Sequence, residues 1–389
     1  MASVSVAVLG AGGTIAPAIV RDLAESEEVA SMVLLDLDAA RAAAVAAEHG
    51  GDKTSAGRVD AHDAAALAAE LAGVDVLINS ASYRVNLDAM RACLVAGCNY
   101  MDLGGLYWMT GRQLELDQDF RRAGLLALLG IGSSPGKTNV MAARAVRELE
   151  SVESIDVAAA GRDPRASGGF SPPYAVRTLI DELTLAPVVL RHGEPVEIEP
   201  LAPGGALDYG PPIGEVETIY TLHSELATFG QSFGCREASF RLSLAPALLH
   251  RLRELTTASP EELDRATREA VAPSAETVSV HQVTARGAGL TARGGDLTAR
   301  GAGLTAGGGD LTARGADRTV TVRAVSRPHF GLGGSVVSTA APAAAAVRLL
   351  ARGELDATGT LAPERCIEPE LLFAELEGRG CSFEVVSTA

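Results

Sequence analysis

Residues 4–23 read VSVAVLGAGGTIAPAIVRDL, a β-rich apolar run that breaks on glycines and resumes with apolar residues at Ile15, Ile19, Val20 and Leu23. That spacing belongs to a helix packed on a sheet, so the stretch predicts a strand, a tight turn and a helix. Gly10 permits the turn, and Gly12 lets the backbone approach a pyrophosphate at the helix N-terminus, where unpaired N–H groups and the helix dipole favour an anion. In the GxGxxG fingerprint the third glycine allows close packing of helix on strand; here that place is held by Ile15. Gly13, Ala16 and Ala18 are expected to compensate by keeping the turn permissive and the helix slim, with Thr14 and Ile15 beside the cofactor.

The context strengthens the reading. A second buried strand, MVLLDLD (32–38), brings Asp36 to its end about 20 residues after the turn, where a carboxylate accepts hydrogen bonds from ribose hydroxyls and repels a 2′-phosphate. NAD is therefore expected over NADP, although Arg41 lies just beyond; alternatively Asp36 only caps the helix near Ala39, which Asp38 could do equally. Because ligands bind at the carboxyl ends of such strands, Asp60 and Ala61 are expected towards the adenine, and Asn79, Ser80 and Ala81 towards the nicotinamide-side ribose.

Strands and helices continue to alternate to about residue 150, predicting an α/β fold: a doubly wound parallel sheet of Rossmann type over 1–150. From 151 to 335 strand-like runs such as EVETIYTLH (215–223) and ETVSVHQVTA (276–285) predict an inserted α+β domain for substrate binding or dimerisation. Residues 336–389 are expected to return to the first domain. Within the second domain, 284–317 repeats TARGAGL-like heptads too glycine-rich for a coiled coil, which reads as an expanded hairpin loop whose removal from 286 to 315 leaves the fold intact.

The chain has 389 residues, enough for two domains, with 47% hydrophobic and 21% charged residues. A net charge of −16 argues against nucleic acid and points to a small-molecule partner. No apolar stretch approaches a membrane span and no signal segment precedes the first strand, so a cytoplasmic protein without membrane association is expected. The five cysteines show no metal spacing, so neither a metal nor a disulfide is expected.

Beyond the cofactor half, DVLINSASYRVNLDAMRACLVAGCNYMDLGG (75–105) and LLGIGSSPGKTNVMA (128–142) resemble the saccharopine dehydrogenase family, closest to its lysine 6-dehydrogenase-like members. The shared pattern rests on Asn79, Gly97, Asp102 to Gly105, Gly130, Gly132, Pro135, Gly136 and Asn139. The resemblance implies a homodimer with an inserted substrate domain and NAD(P)-linked oxidation of an amine or reduction of an imine. It leads to an NAD-dependent oxidation of a terminal amine to a semialdehyde or cyclic imine. Alternatives are reductive condensation of an aldehyde with an amine, of saccharopine reductase or carboxynorspermidine dehydrogenase type, and a non-catalytic NAD-binding sensor or assembly protein.

For that chemistry the residues offer several candidates. His223 and Glu225, two apart and read on one face of a strand, could relay the amine proton, and Tyr83 sits where a phenol would meet substrate or nicotinamide. The SSPGK turn, with Pro135 beside the cofactor, is expected to seat a substrate carboxylate on free N–H groups, with Lys137 adding charge and Asn139 nearby. Asp102 would bind a substrate amine or only hold the following turn, and Tyr174, Arg177 and Arg241 would grip an α-carboxylate.

Overall fold

The computed structural model describes residues 3–165, 169–290 and 316–389. Seven strands form one all-parallel sheet: β1 (Val4–Leu9), β2 (Val29–Asp36), β3 (Thr54–Arg58), β4 (Val76–Asn79), β5 (Asn99–Asp102), β6 (Leu126–Leu128) and β15 (Gly359–Leu361), in the order β15-β6-β5-β4-β1-β2-β3. The order reverses between β1 and β4, and the crevice at that switch point is where a doubly wound sheet binds its ligand. The buried residues of β1, β4, β5 and β6 leave both faces apolar, as a parallel sheet covered on both sides requires.

The second sheet contains β7 (Leu149–Arg162), β8 (Val188–Arg191), β9 (Glu194–Glu197), β10 (Pro203–Asp208), β11 (Glu215–Tyr220), β12 (Glu237–Ser243), β13 (Val278–Gly289), β14 (Asp317–Ser326) and β16 (Cys381–Thr388). Its main path runs β10-β11-β12-β7-β13-β14-β16; among the described residues only the β7–β12 pair is parallel. Two helices, Lys137–Val146 and Gly334–Ala351, lie between the sheets, and their alanines and valines join Val6, Val8 and Ile78 of the first sheet to Val157, Val283 and Val322 of the second in one continuous core. The longer helix is apolar and long enough to cross a membrane, contrary to the expectation that no such stretch exists; most of it is buried in this core.

Several expectations are corrected. The final strand does not return to the parallel sheet: β16 adds antiparallel to β14, because Gly380 (φ +77°) turns the chain back after the helix Pro369–Glu377 and Phe383 stacks on Phe373 at 3.9 Å. Between β5 and β6 the chain forms two helices, Leu106–Leu114 and Asp117–Ala123. β13 runs to Gly289, with Arg286 paired to Thr319, so residues 286–289 belong to the sheet and a tolerated deletion has to begin beyond them. The heptad repeat at 291–315 lies outside the described residues.

Candidate active site

The glycine turn fits a dinucleotide pyrophosphate. Gly10 has φ +76°, and a Cβ there would stand 2.6 Å from the backbone of Ala81. The helix that follows, Ala16–Ala24, begins at Ile15 with no side-chain cap and no acidic residue in its first turn, leaving its amides to an external anion. Ile15 does not obstruct: its side chain is buried in the core shared with Val6 and Ile19. Asp36 accepts hydrogen bonds from the Gly12 amide (2.9 Å) and the Asp38 amide (2.9 Å), while Asp38, and not Asp36, caps the helix Ala39–Val45. The Arg41 guanidinium donates to the Gly12 carbonyl. Asp60 is exposed after β3 and accepts from the His62 amide, beside buried Ala61.

Asn79 does not face a ribose. It is buried, accepting from the Ala81 amide (3.1 Å) and donating to Asn86 (2.9 Å), and so holds the 80–81 segment, with Ser80 donating to the Leu9 carbonyl, against the glycine turn. Asp102 is likewise unavailable to a substrate amine. Its carboxylate accepts from Gln113 (2.6 Å), Tyr100 (2.9 Å), Asn86 (3.2 Å) and the amides of Gly130 (2.7 Å) and Gly104 (2.9 Å). Burial raises its pKa, and these donors oppose the rise.

Nor is the 130–137 turn a free anion seat. The Lys137 amide donates to Gly132, the Thr138 amide to Ser133, and the Gly136 amide to Asn139 Oδ1 (2.8 Å), whose Nδ2 donates to Glu364. Asn139 is therefore a cap. Pro135 is packed against Gly104 and Gly130. Lys137 is buried behind the turn, donating to Ser338 (2.7 Å) and Ser326 (3.0 Å), and burial lowers its pKa. The turn's contribution is to present Ser133 and Ser134 at the carboxyl end of the parallel sheet.

Those two serines line a cavity of about 760 Å³ roofed by the second sheet, with walls that include Phe240, Leu242, Leu248, Tyr174 and His281. His223 enters it stacked on Phe240, ring centroids 3.4 Å apart. Its Nδ1 stands 3.3 Å from Glu225 Oε2 and its Nε2 4.0 Å from Glu182 Oε2; neither nitrogen makes an aligned hydrogen bond. Ser134 (2.6 Å) and Thr138 (2.9 Å) donate to the other oxygen of Glu225, and Tyr174 donates to Glu182 (2.5 Å). Burial opposes a charge on His223, but Glu225 and then Glu182 outweigh it and hold the ring above its ordinary pKa. Burial also works against the Glu225 carboxylate, yet His223 and the Ser134 hydroxyl hold it below the usual range, whereas burial pushes Glu182 up to about 7. The site thus pairs a carboxylate held below the usual range with an imidazole held above its ordinary pKa and a second carboxyl pushed up to about 7, a set able to give and take a proton.

The sequence paired His223 with Glu225 on a strand; the pairing holds but the element does not. β11 stops at Tyr220, and Glu225 is the residue that starts the helix Leu226–Phe233. Glu182 was missed. Tyr174 lines the cavity, but its hydroxyl donates to Glu182 and is not left free for a substrate α-carboxylate. Tyr83 donates to Asp181 (2.8 Å) on the helix Val176–Thr184, tying the two halves together, and burial pushes it up to about 12. Arg177 pairs with Asp264 at the surface, and Arg241 lies on the face of β12 away from Phe240 and Leu242, donating to the Gly204 carbonyl (3.1 Å).

A glycine turn opening a doubly wound parallel sheet, with a second, mixed sheet closing a cavity over the strand ends, defines a Rossmann-like protein with an added sheet domain. Residues 6–128 match the model of the saccharopine dehydrogenase NADP binding domain. Carboxyaminopropylagmatine dehydrogenase of Synechocystis sp. is 28% identical over 273 residues, 67% of each chain, and carboxynorspermidine synthase of Vibrio alginolyticus is 30% identical over 136 residues, 31% of this chain and 33% of that protein. Apo saccharopine dehydrogenase (L-Glu forming) from Saccharomyces cerevisiae has the same fold, with a TM-score of 0.70 over 100% of both chains at 14% identity. Residues 6–128 are thus similar to a nicotinamide-nucleotide-binding domain of saccharopine dehydrogenase type, and the two-sheet fold of the whole chain is that of saccharopine dehydrogenase.

Proposed function

We propose that this protein is an NAD-dependent oxidoreductase acting on the C–N bond of an amino acid or carboxylated amine. The reading is carried by one observation: a buried imidazole held between two carboxylates, inside a cavity that starts at the carboxyl end of the dinucleotide-binding sheet. The bound nicotinamide would supply or accept the hydride. The chain supplies the rest: the apolar walls of the cavity exclude water, the 133–134 turn and Phe240 fix the reacting end, and His223 Nε2 exchanges the amine proton while Glu225 orients the ring through Nδ1.

Both similar enzymes carry names of carboxylated polyamines, which favours the reductive condensation of an aldehyde with an aliphatic amine over oxidation of the terminal amine of lysine. The assay that separates them supplies lysine with oxidised cofactor alone, or an amino-acid semialdehyde with a diamine and reduced cofactor. Consumption of reduced cofactor only when both carbonyl and diamine are present supports condensation; reduction of cofactor by lysine alone returns the choice to amine oxidation. If neither moves the nicotinamide absorbance while the dinucleotide still binds, the protein is a non-catalytic sensor.

Preference for NAD rests on the Asp36 carboxylate, fixed by the Gly12 amide where it would meet the adenosine ribose. Asp36→Asn retains an acceptor for that amide and removes the charge that repels a 2′-phosphate, with Arg41 left beside it. It is expected to move the NAD/NADP ratio of kcat/KM towards NADP by about tenfold, read by steady-state kinetics with each coenzyme. An unchanged ratio would show that Asp36 serves only the turn.

A further inference from the structure

Glu182 has no role in the sequence pattern, yet it is the second carboxylate on His223. It projects from the helix Val176–Thr184 on the side that carries Leu179, Ile180 and Leu183 into the core, and only 4% of it is exposed. Burying a carboxyl among leucines is costly unless it is paired or neutralised. Its partners are the Tyr174 hydroxyl and, at 4.0 Å, His223 Nε2. Glu225, by contrast, takes two hydroxyl hydrogen bonds on one oxygen and faces Nδ1 with the other, which fixes it as the constant anion of the cluster. The nitrogen that is free to work is therefore the one turned towards Glu182.

We infer that Glu182 is the charge partner of His223: a proton leaving the substrate nitrogen is taken by Nε2 and the imidazolium so formed is stabilised by Glu182 Oε2, and Tyr174, a cavity-wall residue, holds that carboxyl in place. The inference rests on the C–N reading above and assigns Glu182 as a positioning residue that acts through the imidazole. In the oxidative direction an ammonium substrate gives up one N–H proton to the pair. A bound nicotinamide would accept the hydride, which carries both electrons of the adjacent C–H bond, while the nitrogen lone pair closes the C=N bond. The sum is R₂CH–NH₃⁺ plus oxidised cofactor giving R₂C=NH₂⁺, reduced cofactor and one proton, and that proton resides on the Glu182–His223 pair until solvent removes it. Reduction of an iminium runs the same transfers in reverse, the pair returning the proton to the product amine.

The groups facing the imidazole are Glu225 at the start of its own helix, Glu182 and Tyr174 from the neighbouring segment, and His281 on β13, behind which lies Lys137; Asp181 acts on Glu182 from the adjacent position. Of these, Glu182 and Glu225 are the ones whose negative charge favours the imidazolium.

The test compares the full-length wild type, Glu182→Gln and Tyr174→Phe by two readouts. Imidazole NMR of histidine-labelled protein, with His223 assigned by its absence from His223→Ala, gives the titration midpoint of the ring without any turnover. Glu182→Gln is expected to lower that midpoint by about one pH unit, corresponding to a tenfold change in proton affinity. The pH profile of kcat is expected to shift in the same direction for whichever amine or imine is turned over. Tyr174→Phe, which leaves the carboxyl in place but loosens it, is expected to lower kcat while retaining a His223 midpoint near that of the wild type, and it serves if Glu182→Gln does not fold. A His223 midpoint and pH profile unmoved in Glu182→Gln, or a Tyr174→Phe chain indistinguishable from wild type in kcat where Glu182→Gln is unfolded, overturns the assignment. If no substrate is turned over, the C–N reading fails separately, while the titration still decides whether Glu182 governs His223.

Discussion

His223→Ala is expected to lower kcat by roughly 10²–10⁴-fold, the usual worth of a positioned acid or base, while the dissociation constant of the dinucleotide stays that of the wild type. The separation follows from placement: the ring is in the cavity under the second sheet, whereas the coenzyme turn is built from residues 10–16, Asp36 and the 79–81 segment. Removing the imidazole also leaves the Glu225 and Glu182 carboxyls facing one another without the cation between them, so Glu182 should be driven further towards its protonated form. The variant is therefore expected to fold, its carboxyl neutralised, and to lose its acid–base step. Stopped-flow measurement of the hydride step beside fluorescence titration of the reduced coenzyme distinguishes the two effects. A His223→Ala enzyme with wild-type turnover would show that the proton is handled elsewhere.

The second large effect concerns stability. Asp102→Ala removes one carboxylate and orphans Gln113, Tyr100, Asn86 and the amides of Gly130 and Gly104, all inside the fold. At about 1–3 kcal/mol for each buried group left without a partner, even two unrepaired donors remove a large share of the roughly 5–15 kcal/mol that holds a domain. The expected result is a fall in Tm of well over 10 °C, or failure to fold, seen by calorimetry or circular dichroism. Because Gly104 and Gly130 both pack on Pro135, any folded remainder should also misplace Ser133 and Ser134 at the cavity. A substrate-binding role for Asp102 would give the opposite pattern, a raised KM with the fold intact.

Stability should also depend on pH through Glu182. Its folded pKa, about 7, lies above the ordinary carboxyl value of 4.5, so the stability it confers is full below 4.5 and is lost as the pH rises through 7. His223, raised as well, adds in the same sense, its contribution falling away as the pH climbs past its folded value. Glu182→Gln cannot ionise and is expected to lose less Tm than the wild type between pH 5 and pH 8, by thermal denaturation at each pH. Equal slopes for the two proteins would contradict a titrating carboxyl at this position.

Most of the parallel sheet was legible because β1, β2, β4 and β6 are short apolar runs bounded by turn residues, and because a glycine turn followed by Asp36 at fixed spacing reports backbone geometry directly; the exposed β3, TSAGR, and the three-residue β15 carry no such pattern. The site was legible in part. His223 and Glu225 are close in sequence and could be paired by eye, although the strand on which they were placed ends at Tyr220. Glu182 could not, since in VRTLIDELT it resembles any helical glutamate; the usable sign was its register with Leu179 and Leu183, an acid set into an apolar stripe. Lys137, Asn139 and Asp102 looked functional because polar residues beside glycines usually are. Their true partners, Ser326, Ser338, Glu364 and Gln113, are brought in by packing that local pattern does not encode.

The pair of helices wedged between the two sheets has a mechanical consequence. Both halves of the molecule grip the same two rods, so the coenzyme half and the roof over the cavity cannot swing apart like the covers of a book without tearing a single interior in two. The hollow under the second sheet is therefore expected to keep one shape whether it is filled or empty.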